Sequence, residues 1–306
     1  MLRRWLPPAV AICLILGYNG ATALEHRRMD ATTLQPAAAA APAFILAQAF
    51  ILARFRQLGL QPLGAGYEQQ FSFVHRSILG TVMPGRPAKL PYPDATNLMA
   101  MVRGTAQPDA FVIVSAHYDH LGVREGRTFP GADDNASGVA AMLETAAYVA
   151  THPLRHSVMF IAFDGEEQGL QGSKYFVAHP PVALDRVRLV INLDMVSRSD
   201  TATIVASGTS SDPALKELVS KAEQGRRLSV AFGHDRPIYL AGGVEDWTNQ
   251  SDQGPFHDAG VRTLYFGVED HPDYHQPTDT ADRIPRPFFT EVAELVVQTL
   301  IEADAL

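Results

Sequence analysis

The 306-residue chain is 46% hydrophobic and 19% charged, which supplies a sizeable core and excludes a disordered or collagen-like polymer. Its formal net charge of −8 argues against nucleic acid as a partner, because phosphate binding relies on clustered Lys and Arg. The lone cysteine, Cys13, lies in a leader-like segment, so a disulfide framework, a thiolate metal site and a cysteine nucleophile are all excluded from the mature chain.

That leader has a basic start at Arg3 and Arg4, an apolar run from Leu6 to about Gly17, and small residues at Ala21-Thr22-Ala23. It reads as a secretory signal peptide over residues 1–23. The run falls short of the roughly 20 residues that span a bilayer, so an uncleaved membrane anchor is the lesser alternative. The expectation is an exported protein, periplasmic or extracellular, with no stable membrane partner. An Ala/Pro-rich linker follows over 24–42, and residues 43–306 form the catalytic domain.

Within that domain, Phe44, Ala47, Phe50, Ile51, Phe55 and Leu58 recur at helical spacing, and Gly59 is placed to stop the helix. Alternation over 67–74 predicts an edge strand. Short apolar runs at 111–116, 158–163 and 187–193 are of the kind a sheet covered on both faces requires. Val139, Met142, Leu143 and Ala146 mark one face of a helix between the first two runs. A further helix is predicted after Asp212, with Leu215, Leu218 and Val219 on its apolar face, and another from about Phe288. This order predicts an α/β fold: a three-layer sandwich whose central, mostly parallel mixed sheet is covered by helices.

In α/β sheets the ligands gather at the carboxyl ends of strands. His117-Tyr-Asp119 follows the first run, Asp164-Gly-Glu166-Glu167 the second and Asp194 the third, while Asp133-Asp134 precedes the intervening helix. So many carboxylates converging at one sheet edge would repel one another unless cations neutralised them. Imidazole and carboxylate without thiolate is the donor set of catalytic zinc, with Mn2+ or Co2+ as substitutes. The number of donors suits two ions better than one, with one carboxylate bridging and a neighbouring free carboxylate moving a proton.

Six stretches appear in the order found in a known family: Ala116-His-Tyr-Asp119, Gly131-Ala-Asp-Asp-Asn-Ala-Ser-Gly138, Phe163-Asp-Gly-Glu-Glu-Gln-Gly-Leu-Gln-Gly-Ser173, Asn192-Leu-Asp-Met195, Ser251-Asp252 and Tyr274-His-Gln-Pro-Thr-Asp279. Together they resemble the M28 metallopeptidases, which include bacterial leucyl aminopeptidases. The resemblance implies a zinc-exopeptidase fold and two zinc ions held by His117, Asp134, Glu167, Asp194 and His275, with Asp134 bridging. It implies Glu166 as general base, Asp119 as the partner that orients His117, and Tyr274 as an oxyanion donor. The expected activity is hydrolysis of peptides with a free N-terminus, because the acidic surroundings suit a protonated α-amine.

Glutaminyl-peptide cyclase is an alternative on the same fold, although it is expected to use one zinc and a reduced ligand set. A two-metal carboxypeptidase or deacylase and a non-catalytic receptor-like binding module are further alternatives. His120, His152, His156, His179, His234, His257 and His271 lie outside the matched positions and read as ordinary histidines, His271 being near enough to shape the site. Ser251-Asp252 reads as structural, since no G-x-S-x-G elbow accompanies it, and the absence of H-E-x-x-H excludes a thermolysin-like arrangement. Phe232, Tyr239 and Trp247 are the expected apolar wall of a side-chain pocket.

Overall fold

A computed structural model describes residues 41–76, 89–210, 212–237 and 239–305. The signal peptide expected over 1–23 lies outside the described residues, as does the linker apart from its last two positions. Those two open helix α1 (Ala41–Gln57). Ile51, Leu52 and Phe55 of this helix are buried, and Gly59, at φ +69°, takes the left-handed conformation that ends it.

Three strands follow: β1 (Gln61–Pro62), β2 (Glu68–Arg76) and β3 (Lys89–Val102). The sequence reading anticipates β2 but misses β3. Pro91 and Pro93 argue against a strand, yet here each escapes the cost of a missing N–H. Residues 89–97 pair only with β2, and the pairing skips from Tyr92 to Ala95 at a bulge that accommodates Pro93. Leu98–Val102 then pair with the central sheet.

That sheet is completed by β4 (Gln107–His117), β7 (His156–Phe163), β8 (Val187–Leu193), β9 (Thr203–Ser207), β10 (Ser229–Phe232) and β11 (Thr263–Gly267), while β5 (Gly122–Arg124) and β6 (Arg127–Phe129) form a separate hairpin. Nine strands run in the order β1-β3-β7-β4-β8-β11-β9-β10, with β2 paired to β3. The pairs β4–β7, β4–β8, β8–β11 and β9–β10 are parallel, and β3–β7 and β9–β11 antiparallel. With β1–β3 and β2–β3 also antiparallel, four pairings among the described residues are parallel and four antiparallel, so the sheet is mixed as expected, but only its β7-β4-β8-β11 centre and the β9–β10 pair are parallel.

Both faces are covered, which is why the central strands read as unbroken apolar runs. Val112, Val114, Ala116, Phe160 and Ala162 point into one core. There they meet Val139, Met142, Leu143 and Ala146 of α2 (Gly138–Thr151). Phe111, Ile113, Met159, Ile161 and Phe163 point the other way, toward Phe176 of α3 (Gln171–Ala178) and Phe256 of the short helix Gln253–Asp258. A fully buried side chain such as Phe160 contributes about 1.5–3 kcal/mol by burial alone.

The remaining helices are α4 (Pro213–Glu223), capped by the Asp212 carboxylate, which accepts from Ala214 N; α5 (Gln253–Asp258); and α6 (Arg286–Asp304). No helix of the described residues is long and apolar enough to cross a membrane. The last residue of α6 ties the helix to the start of β7. The Asp304 carboxylate accepts Arg155 N, His156 N and His156 Nδ1, each at 2.8 Å.

Replacing Asp304 with Ala leaves two main-chain N–H groups without acceptors and is expected to cost about 2–4 kcal/mol in chemical denaturation. Asp304→Asn, which keeps an accepting oxygen, should lose clearly less. An unchanged midpoint for the alanine variant would contradict this account of how the C-terminal helix is fixed.

Candidate metal centre

Because β4, β7 and β8 are parallel neighbours, their carboxyl ends lie side by side, and His117, Asp164 and Asp194 sit at or just beyond those ends. Asp134 arrives from the turn over Ala132–Ser137 that leads into α2. The glycines around it are dictated by close approach. A Cβ on Gly131, at φ +62°, would lie 2.2 Å from Asp134 O, and one on Gly138 would lie 2.5 Å from Leu193 O. Asn135 stitches the turn to β8. Its Nδ2 donates to Leu193 O, and its Oδ1 accepts from Gly138 N and Met195 N.

The five expected ligands come together around Asp134. His117 Nε2 is 3.3 Å from Asp134 Oδ1 and 3.2 Å from Asp194 Oδ1. On the opposite side, His275 Nε2 is 3.0 Å from Asp134 Oδ2 and 3.4 Å from Glu167 Oε1. One carboxylate therefore turns one oxygen to each of two donor groups. The second group holds a residue that the sequence reading dismissed: His120 Nδ1 lies 2.8 Å from Glu167 Oε1 and 3.6 Å from Asp134 Oδ2. Its position three residues beyond the end of β4, in the loop where ligands of α/β sheets gather, was the available signal.

His117 Nδ1–H donates to the main-chain oxygen of Asp119 at 3.1 Å, so Nε2 is the nitrogen that faces the carboxylates of Asp134 and Asp194. Between them it carries either a proton or, as a neutral ligand, a cation. Burial opposes charging His117, but Asp194 and Glu166 outweigh it and raise its pKa well above the ordinary value. Among the described residues, Asp134 Oδ2, Glu167 Oε1 and both ring nitrogens of His120 are buried with no aligned hydrogen-bond partner. Buried polar atoms are rarely left so, and their donor chemistry fits divalent cations.

Asp119 stands beside His117 with its carboxylate 3.6 Å from Nδ1, and that carboxylate instead accepts Glu166 N at 3.1 Å and Glu167 N at 3.2 Å. It fixes the loop carrying both glutamates. Burial raises the pKa of Glu166 well above the ordinary value, opposed by His117 and reinforced by Asp194 and Asp252. The Tyr274 ring stacks on His275 at 3.9 Å. Burial, with Asp134 and Glu167, pushes its phenol up, so it remains a donor.

The His275 loop is pinned to the rest. Asp279 accepts Asp133 N and Asp134 N, and Asp133 meets Ser197 and His271. Asp273 binds Arg198 at 2.7 Å and Arg283 at 2.8 Å. These anchors hold His275 in a left-handed conformation, φ +53°. Ser251 accepts from Asn192 Nδ2, and Asp252 is fully buried. The three aromatics of the expected pocket wall are not gathered into one: Trp247 packs on His234 and Tyr265, Phe232 lies under Lys216, and Tyr239 is exposed.

Residues 97–300 match the profile of Peptidase family M28. The chain belongs to that family. It is 33% identical over 211 residues to aminopeptidase YwaD of Bacillus subtilis, covering 64% of this chain and 41% of the relative. It is 31% identical over 221 residues to a probable lipoprotein aminopeptidase, LpqL, of Mycobacterium tuberculosis, covering 63% and 42%. Among solved structures, a zinc aminopeptidase from Bacillus subtilis superposes with a TM-score of 0.57 at 28% identity, over 71% of this chain and 52% of that one. The chain spans about half, or less, of the length of these relatives.

Without cations, burial raises Asp164 to about 8 and Asp252 to about 7, while for His275 burial is outweighed by Asp134 and Glu167, which raise it to about 10. For each group the stability gained from its proton is complete below the ordinary pKa and is lost as pH rises through the raised one. Asp134 and Glu167 shift downward, and their contribution is constant above about pH 5. The chelated chain is therefore expected to melt lower at pH 8 than at pH 5.5, with added divalent cation restoring the loss at pH 8. A melting temperature that climbs over this range in chelator would contradict these electrostatics.

Proposed function

We propose that the chain is a zinc-dependent exopeptidase, an aminopeptidase that removes N-terminal residues from peptides. The observation that carries this reading is Asp134, whose two oxygens face two donor groups. His117, Asp134 and Asp194 would hold one ion, and Asp134, Glu167 and His275 a second; Mn2+ or Co2+ could replace zinc. Bound ions of this kind polarise a scissile carbonyl and bring the pKa of water toward neutrality.

The chain's own residues do the rest. Glu166 takes the proton of the attacking water and passes it to the leaving amine. Its raised pKa belongs to the chain without cations, and nearby positive charge would lower it toward the working range of a base. Asp119 holds the Glu166 main chain in place through its N–H. Tyr274, kept protonated and stacked on His275, donates to the developing oxyanion. Glu245, Glu269 and Asp270 add an acidic rim, where burial and the two glutamates raise Asp270. That rim favours the ammonium of a free N-terminus over a carboxylate. The basic, apolar and small-residue pattern of residues 1–23 supports export.

The direct test is a panel of aminoacyl anilides with free and with acetylated amino groups, assayed before and after chelation and zinc restoration. Cleavage of the free-amine set alone, lost on chelation and regained with zinc, is expected; cleavage of neither set, with activity on N-terminal glutaminyl peptides, would replace this reading by a cyclase. Glu166→Gln is expected to keep its metal content and lose roughly 10²–10⁴ in kcat. Full activity in that variant would overturn the role given to Glu166.

A further inference from the structure

The two donor groups around Asp134 are not equal. The first offers three atoms, His117 Nε2, Asp134 Oδ1 and Asp194 Oδ1. The second offers Asp134 Oδ2, Glu167 Oε1, His275 Nε2 and also His120 Nδ1. Tetrahedral zinc with ordinary ligand distances places neighbouring ligand atoms about 3.3–3.6 Å apart. Four of the six separations among these atoms are 2.8, 3.0, 3.4 and 3.6 Å; two match that spacing and two are closer, and His120, Asp134 and Glu167 by themselves form a cluster able to hold an ion.

Among the described residues, the charged partners of His120 are Asp134 and Glu167, both members of this group. Its side chain is 4% exposed, and neither ring nitrogen has an aligned hydrogen-bond partner among the described residues. Nδ1 comes within 2.8 Å of Glu167 Oε1 without the alignment of a hydrogen bond, as two ligands aimed at a common point would. Gly131 leaves room for the ring: a Cβ there would lie 2.7 Å from His120 Cγ and Cδ2. On another side it borders a cavity of about 380 Å3 walled largely by carbon from Phe50, Tyr118, Pro130 and Val139.

We infer that His120 is a fourth protein ligand of the second ion, giving that ion a closed shell of Asp134, Glu167, His275 and His120, while the first ion keeps an open position. This rests on the two-ion reading above. Closed four-ligand shells are typical of firmly held ions, and open shells of ions that meet substrate. The chain would accordingly hold its second ion the more tightly and present the first to the reacting groups.

The test is a titration of the metal-free full-length chain with Co2+, followed by visible absorption and calorimetry, for the wild type, His120→Ala, His120→Gln and His275→Ala. Four-coordinate Co2+ absorbs several-fold more strongly than five- or six-coordinate Co2+. Expected is a wild type with two equivalents, one of them tight and strongly absorbing. His120→Ala and His120→Gln, folded by circular dichroism, should weaken the same equivalent that His275→Ala weakens, by at least tenfold, and lose its intense band. Two equivalents with wild-type affinity and spectrum in both His120 variants would overturn the inference and leave the two-ion reading standing. A wild type that takes up a single equivalent would overturn both.

Discussion

Asp134 is the point on which the rest of the site depends. It is a buried carboxylate with an imidazole on either side and two further carboxylates within reach. Burial alone would protonate it, but His117 and His275 hold it well below the usual carboxylate range. Around it Glu166, Asp164, Asp252 and Asp194 are pushed the other way, chiefly by burial. A cluster divided in this way is the electrostatic picture of a chain without its counter-charges, and cations at the two donor groups would resolve it.

The scaffold exists to hold that concentration of charge still. Parallel β4, β7 and β8 deliver three of the charged segments to one edge. Main-chain donors absorb three of the carboxylates that take no part in the two donor groups: Asp119 by the Glu166 and Glu167 amides, Asp279 by those of Asp133 and Asp134, and Asp164 by Thr96. Asp273 and its two arginines do the same for the loop of His275, which no strand end positions. Rigid placement costs less where each anchoring group is satisfied by its own neighbours.

The parts legible in the sequence were those whose physics is local. Strands covered on both faces read as apolar runs, α2 and α4 showed their buried faces, and G-A-D-D-N-A-S-G stood out as a motif, which the fold makes a turn whose Gly131 and Gly138 have no room for a Cβ. β3 was missed because Pro91 and Pro93 are tolerated only through pairing on one side and a bulge, features set by β2 and not by the segment itself. His120 was passed over because the groups that surround it, Gly131 and Glu167, are set beside it by the fold and not by the local sequence. Phe232, Tyr239 and Trp247 share a stretch of chain but not a surface, since β10, an exposed loop and the His234–Tyr265 contact carry them apart.

The claim that two cations sit on either side of Asp134 is tested most directly by anomalous X-ray scattering at the zinc edge from crystals of the zinc-loaded chain. The account requires two peaks about 3.5–4 Å apart, one among His117, Asp134 and Asp194 and the other among Asp134, Glu167 and His275. A single peak, or peaks away from Asp134, would contradict it.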